Sequence, residues 1–255
     1  MDKQAALYSA LDETADELIL GNYRLIQGRA GYRFSIDAVL LAHFAQLDDI
    51  DKAVDLGAGN GVIPLLLAAR SAFVHITGIE VQPAMVDRAR RSLVLNGLQD
   101  RIDIIQADVR EIPSHLPAAS TRLVLCNPPF QRRGRGRISQ HPEKALARHE
   151  LTATLSDFVA AASYLLNQGG KFCLIHRSER LPEILDLFRS YKLSATRLRM
   201  VQAFSNREAG LFLLEGTKGT GNDLIILPPL VIYEQAGIYH PEVLQWYRKP
   251  DGEEG

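Results

Sequence analysis

The amino-acid sequence predicts an α/β fold: a doubly wound, mostly parallel sheet of seven strands whose last strand runs antiparallel, with a small β/helix extension on the N-terminal side. Three observations support this reading. From residue 52 onward, short apolar runs alternate with helical segments, the pattern of strands covered by helices on both faces. A glycine-rich turn, Gly57-Ala58-Gly59-Asn60-Gly61, joins the first of these strands to the first helix. The last two apolar runs, at 196–201 and 210–215, have no helix between them and so should pair antiparallel.

Taken in order, residues 2–10 carry no strong signal. Leu18-Ile19-Leu20 and Tyr23-Arg24-Leu25-Ile26 flank Gly21-Asn22, as the arms of a hairpin would. Ser35 then stands at the cap position of Ile36-Asp37-Ala38-Val39-Leu40-Leu41-Ala42-His43-Phe44, a helix apolar enough to be largely buried. Ala53-Val54-Asp55-Leu56 is the first core strand, followed by a helix over 62–69. His75-Ile76-Thr77-Gly78-Ile79-Glu80 is the second, leading to a helix that starts near Pro83, a residue suited to a first turn.

Ile102-Asp103-Ile104-Ile105-Gln106 is the third strand and Leu123-Val124-Leu125-Cys126 the fourth. A helix over 155–166 should stop at Gly169-Gly170. The strand Lys171-Phe172-Cys173-Leu174-Ile175 and a helix over 181–191 follow. The segment 224–247 contains Pro228-Pro229 and reads as an extended arm. We expect one domain over 1–255, made of an N-terminal extension with its helix (1–50), a core (51–218) and a C-terminal arm (219–255).

Net charge is −1, with 29 Lys and Arg against 30 Asp and Glu, so any basic surface must be a local patch. Cys126 and Cys173 both lie in apolar runs without a C-x-x-C pair, as core thiols of a reducing compartment would. The charged N-terminal stretch lacks the apolar segment of a leader, and no run of about eighteen apolar residues occurs. The expected location is the cytoplasm, with no membrane partner.

Asp55-Leu56-Gly57-Ala58-Gly59-Asn60-Gly61 lies where glycines admit close backbone approach and a helix N-terminus attracts negative charge. The spacing is G-x-G-x-G, and a dinucleotide fingerprint would need a small residue where Val62 stands, which disfavours NAD. Glu80 ends the next strand, about twenty residues on, where a carboxylate accepts both hydroxyls of a ribose. Asp108 follows the third strand and is placed to accept from an adenine amino group. Asp55 brings a negative charge suited to an ammonium or sulfonium. Three acids at successive strand ends match a cationic adenosyl ligand better than a pyrophosphate.

The fourth strand runs into Asn127-Pro128-Pro129-Phe130. Two prolines remove two N–H groups and push Asn127 and Pro128 toward extended conformations, so the strand stops there. Such a corner holds one carboxamide, one free carbonyl and one aromatic face in a fixed relation, the parts needed to grip a flat amine. A loop that merely ends a strand is the plain alternative. Directly after it, Gln131-Arg132-Arg133-Gly134-Arg135-Gly136-Arg137 sets four arginines on a glycine-interrupted segment suited to phosphates, and Lys144 and Arg148 add to it. His141 and His149, with Glu143 and Glu150, lack usual metal-ligand spacing, so no metal is expected. His43 and His176 read as structural.

The glycine turn, the acids after two further strands and Asn-Pro-Pro-Phe, in that order over 55–130, resemble the class I S-adenosylmethionine-dependent methyltransferases, specifically the amino-methylating branch. Phe34-Ser35-Ile36-Asp37-Ala38-Val39-Leu40-Leu41-Ala42, Ala147-Arg148-His149-Glu150 and Pro228-Pro229-Leu230-Val231-Ile232-Tyr233 resemble the bacterial tRNA adenine-N6 methyltransferases, whose members modify the adenosine 3′ of the anticodon in a valine tRNA. The resemblance implies a Rossmann-like fold and S-adenosylmethionine held by Asp55, Gly57, Ala58, Gly59, Gly61, Glu80, Val81, Asp108, Val109 and Asn127. It implies catalysis at Asn127, Pro128, Pro129 and Phe130, and tRNA as partner, held by Arg132, Arg133, Arg135, Arg137 and Arg148. In such relatives the stretch around Ser35 and Asp37 lies over the cofactor, although a helix cap accounts for the same residues. The same corner also serves enzymes acting on release-factor glutamine or ribosomal guanine N2, and a non-catalytic RNA-binding module is a further alternative. Oligomeric state is left open, a monomer being compatible.

Overall fold

A computed structural model describes residues 12–18, 20–29, 34–130, 153–219 and 223–246. The N-terminal hairpin pairs β1 (Glu13–Glu17) with β2 (Arg24–Gly28) across a turn in which Gly21 and Asn22 both adopt positive φ. Leu18 and Leu20 thus belong to the turn and not to the strand expected there. The shift follows from the ties that seat this hairpin on α3 (Pro83–Asn96). Glu13, at the start of β1, accepts from Arg88 Nε at 2.8 Å and Arg91 Nη1 at 2.6 Å, and Ser92 Oγ accepts from the Ile26 N–H.

The expected mostly parallel sheet is present. Strands β3 (Lys52–Leu56), β4 (His75–Glu80), β5 (Ile102–Gln106), β6 (Thr121–Cys126) and β7 (Leu166–Arg177) are mutually parallel, and β9 (Ala209–Lys218) runs antiparallel between β7 and β8 (Leu193–Gln202). Among the described residues the sheet has eight strands, however. β10 (Ile225–Val231), from the segment read as an arm, joins β8 in parallel, giving the order β10-β8-β9-β7-β6-β3-β4-β5. Pro228 and Pro229 of this strand donate no ladder bond. At a sheet edge that lack costs little, and the register shifts between Leu227 and Leu230. A two-stranded turn follows, β11 (Tyr233–Gln235) with β12 (Ile238–Tyr239).

Period-two alternation divides the core between the two faces of the sheet. Leu123, Leu125, Cys173 and Ile175 are buried with α1 (Ile36–Phe44), α2 (Val62–Arg70) and α3; Val124, Cys126, Phe172 and Leu174 are buried with α4 (Leu155–Leu165) and α5 (Leu181–Ser190). The first cluster also takes in Leu18 and Leu25 of the hairpin segment and Val243 of α6 (Pro241–Gln245). Both cysteines are buried and free. α4 starts at a capping box, Thr154 with Asp157, and stops at Leu165. Gly169-Gly170 therefore caps no helix and lies in β7, within the register shift against β6 that its backbone freedom permits. Among the described residues no helix is long and apolar enough to cross a membrane.

Candidate active site

The strand order places β4 on one side of β3 and β6 on the other. This is the reversal point at which the carboxyl ends of parallel strands open a crevice. A cleft of about 910 Å³ lies there, walled by the glycine turn, the ends of β4 and β5, the corner after β6, and Phe34 and Phe158.

Gly57, Gly59 and Gly61 adopt φ of 78°, 56° and 86°, a region that side-chain-bearing residues avoid. At Gly59 an added Cβ would meet no atom within 4 Å, so its glycine serves the turn itself and leaves backbone bare toward the cleft. At Gly61 it would approach the Ala89 Cβ to 3.2 Å, which lets α3 pack against the turn. The N–H groups of Gly57 and Ala58 both donate to the Ile79 carbonyl at 2.9 Å, tying the turn to β4.

Glu80 is 6% exposed and braces the same turn: its Oε2 accepts from the Gly59 N–H at 2.9 Å and its Oε1 from the Gln82 N–H at 2.8 Å. Burial raises its pKa, against the pull of those backbone bonds. Asp108 also lines the cleft, but Arg110 holds both of its oxygens, at 2.9 and 2.6 Å, and lowers its pKa. Val81 and Val109 add apolar wall.

Asp55 differs from expectation. It lies on the α1–α2–α3 face of β3, because Val54 and Leu56 are buried on the opposite side, and it is absent from the cleft wall, as is Gly61. It is fully buried, neither carboxylate oxygen has a hydrogen-bond partner among the described residues, and burial, then the Glu80 charge, push its pKa to about 8. Burial thus favours its neutral form and keeps its carboxyl off the cleft wall.

A testable pH dependence follows. The folded pKa lies above the ordinary 3.8, so the folded state holds the proton more tightly than the unfolded chain. The resulting stabilisation is complete below about pH 4 and is lost as pH rises toward about 8. Urea midpoints between these limits should fall with pH in the wild type and flatten in Asp55→Asn; parallel profiles would refute the assignment.

At the corner, Asn127 and Pro129 line the cleft, and the Phe130 ring rests on His176 with centroids 5.1 Å apart at 46°. His176 is fully buried, and burial lowers its pKa to about 3. Its Nδ1 accepts from the Arg177 N–H at 2.8 Å, so the neutral ring carries its proton on Nε2. Ser35 does not cap α1; its hydroxyl donates to Asp37 Oδ2 at 2.8 Å. Neither residue lines the cleft, whereas their neighbours Phe34 and Ala38 do.

The structure thus brings Gly57, Ala58, Gly59, Glu80, Val81, Asp108, Val109, Asn127 and Pro129 to one cleft. Gln82, Met85 and Phe158 were missed: the first two follow Glu80 into the first turn of α3, a usable signal, while Phe158 has the spacing of an ordinary core residue. Arg132, Arg133, Arg135, Arg137 and Arg148, with His141 and His149, lie outside the described residues.

The family model for the methyltransferase small domain matches residues 36–199. A Porphyromonas gingivalis protein named tRNA1(Val) (adenine(37)-N6)-methyltransferase is 30% identical over 224 residues, covering 84% of this chain and 86% of its own. A Shewanella loihica protein of the same name is 32% identical, covering 67% and 70%. Among solved structures, one from Agrobacterium tumefaciens, described as a predicted O-methyltransferase, superposes with a TM-score of 0.68 at 25% identity, covering 83% of this chain and 95% of its own. A transferase from Pyrococcus horikoshii shares the fold, with a TM-score of 0.56 at 15% identity over 82% and 73%.

Proposed function

The chain belongs to the methyltransferase small domain family, and from that premise we propose that it carries a methyl group from S-adenosylmethionine to N6 of an adenosine in tRNA, the adenosine beside the anticodon of a valine tRNA. The observation that carries this reading is the Asn127-Pro128-Pro129-Phe130 corner, with Asn127 on the wall of the same cleft as Gly59 and Glu80. The tRNA half of the reading is supported by the names of the relatives.

The residues present fit the cofactor. Glu80 uses one lone pair on each oxygen for a backbone N–H and keeps the others for two ribose hydroxyls. Phe34, Ile79, Val81 and Val109 offer apolar walls for a flat adenine. When bound, S-adenosylmethionine supplies an electrophilic methyl group.

An exocyclic adenine amine is a weak nucleophile because its lone pair is delocalised into the ring. We assign the Asn127 side-chain oxygen and the Pro128 carbonyl as acceptors of its two N–H groups. Held so, the nitrogen is biased toward a pyramidal geometry with its lone pair facing the donor; once methylated it is acidic enough to give its extra proton to water, so catalysis rests on positioning and electrostatics. Phe130 stacks on the base, a contact worth roughly 1–3 kcal/mol. A hydroxyl acceptor would call instead for a strong base at the corner. The two acids on the described cleft wall, Glu80 and Asp108, are already engaged by backbone N–H groups and by Arg110. We assign Arg132, Arg133, Arg135, Arg137 and Arg148 to tRNA phosphates.

Purified protein supplied with methyl-labelled S-adenosylmethionine and total tRNA should yield label in N6-methyladenosine on nucleoside mass spectrometry, in valine tRNA. Label that survives ribonuclease, or that appears in ribosomal guanine or a release factor, would overturn the adenine reading.

A further inference from the structure

We propose that Gln27, which no sequence motif singles out, is a positioning residue of the cofactor site; the inference rests on the S-adenosylmethionine reading above. Gln27 lies in the hairpin strand β2, one residue before its end, and is 1% exposed. Its Oε1 accepts from the Phe34 N–H at 3.0 Å and from Asn60 Nδ2 at 3.4 Å, and its Nε2 donates to Asp16 Oδ2. The Phe34 N–H can only donate, so the amide has one orientation that satisfies all three partners.

Phe34 and Asn60 both line the cofactor cleft, one as an aromatic wall and the other within the glycine turn. Gln27 therefore couples two cleft residues that are 26 positions apart in the chain and belong to different elements. Phe34 also borders a second cavity of about 780 Å³, lined by Leu18, Val39, His43, Tyr239 and Trp246 among others. A Phe34 released from Gln27 has empty space to move into, away from the cleft.

The hairpin has separate anchors on α3. Glu13 pairs with Arg88 and Arg91, and Asn96 bonds both the N–H and the carbonyl of Arg24. Loss of the Gln27 amide thus leaves the hairpin docked while freeing Phe34 and Asn60, which separates positioning from folding.

Calorimetric titration of S-adenosylmethionine into wild type, Gln27→Leu and the double variant Gln27→Glu with Asp16→Asn tests this. The double variant exchanges donor and acceptor between the two side chains and keeps an acceptor facing Phe34 and Asn60. Gln27→Leu should weaken binding about tenfold, with turnover at saturating cofactor and the KM for tRNA within roughly twofold of wild type; the double variant should recover most of the affinity. Ile184→Ala, a cavity in the cluster on the other face of the sheet from the hairpin and lining neither the cleft nor the second cavity, serves as the comparison for stability alone. Wild-type affinity in Gln27→Leu, no recovery in the double variant, or an equal loss in Ile184→Ala would overturn the proposal while leaving the cofactor reading intact. A wild type that binds no S-adenosylmethionine would overturn both.

Discussion

Asn127→Ala is expected to lower turnover on tRNA by about 10³-fold while reducing S-adenosylmethionine affinity far less, because the lost carboxamide acts mainly where charge develops on the amine. The side chain is the first beyond β6, in a conformation restricted by Pro128, and it stands on the cleft wall. Alanine preserves that backbone and removes only the acceptor, so the fold should be untouched. Single-turnover methylation with labelled cofactor, alongside calorimetric binding, separates the two effects. Turnover within tenfold of wild type would sink the assignment.

Glu80→Gln should raise the dissociation constant for S-adenosylmethionine by roughly 100-fold, in line with the 1.5–3 kcal/mol typical of hydrogen bonds to a charged group. Both Glu80 oxygens face backbone donors, from Gly59 and Gln82. A glutamine must turn its NH₂ toward one of them, so one backbone bond is lost and the glycine turn loosens in addition to the weaker grip on a ribose. Burial raises the Glu80 pKa, so wild-type affinity should decline as pH falls, beginning above the usual carboxylate range; this decline should be absent in Glu80→Gln. Affinity that is independent of both the substitution and pH would remove Glu80 from the cofactor site.

Much of the site was legible because local chemistry specifies it. Three glycines at alternate positions announce a left-handed turn, an acid at a strand end announces an acceptor beside the crevice, and consecutive prolines announce a stop. Each statement concerns a few bonded residues, and the chain carries them to one crevice because parallel strands end on the same side of the sheet. The parallel order itself followed from the alternation of strands with helices.

What was misread has a common origin. The sequence offers Asp55 as a charged ligand group, yet it is buried without a hydrogen-bond partner among the described residues, and the shell packed around it raises its pKa to about 8. Residues 224–247 read as an extended arm, and the open edge beside β8 takes Ile225–Val231 of it as a strand. Ser35 had the sequence of a cap and bonded Asp37 instead. Gln27 had no signature at all, since its partners stand at positions 16, 34 and 60.

By itself, then, the sequence determined the element types, the glycine turn, the strand-end acids Glu80 and Asp108 and the Asn127 corner, because backbone sterics act between neighbouring residues. Only the tertiary structure decided that Asp55 is buried away from the cleft while Glu80 and Asp108 line it, that an eighth strand joins the sheet and that Gln27 bonds the Phe34 N–H beside the cleft. Desolvation and long-range hydrogen bonds depend on which distant residues the fold brings together, and no local pattern records that.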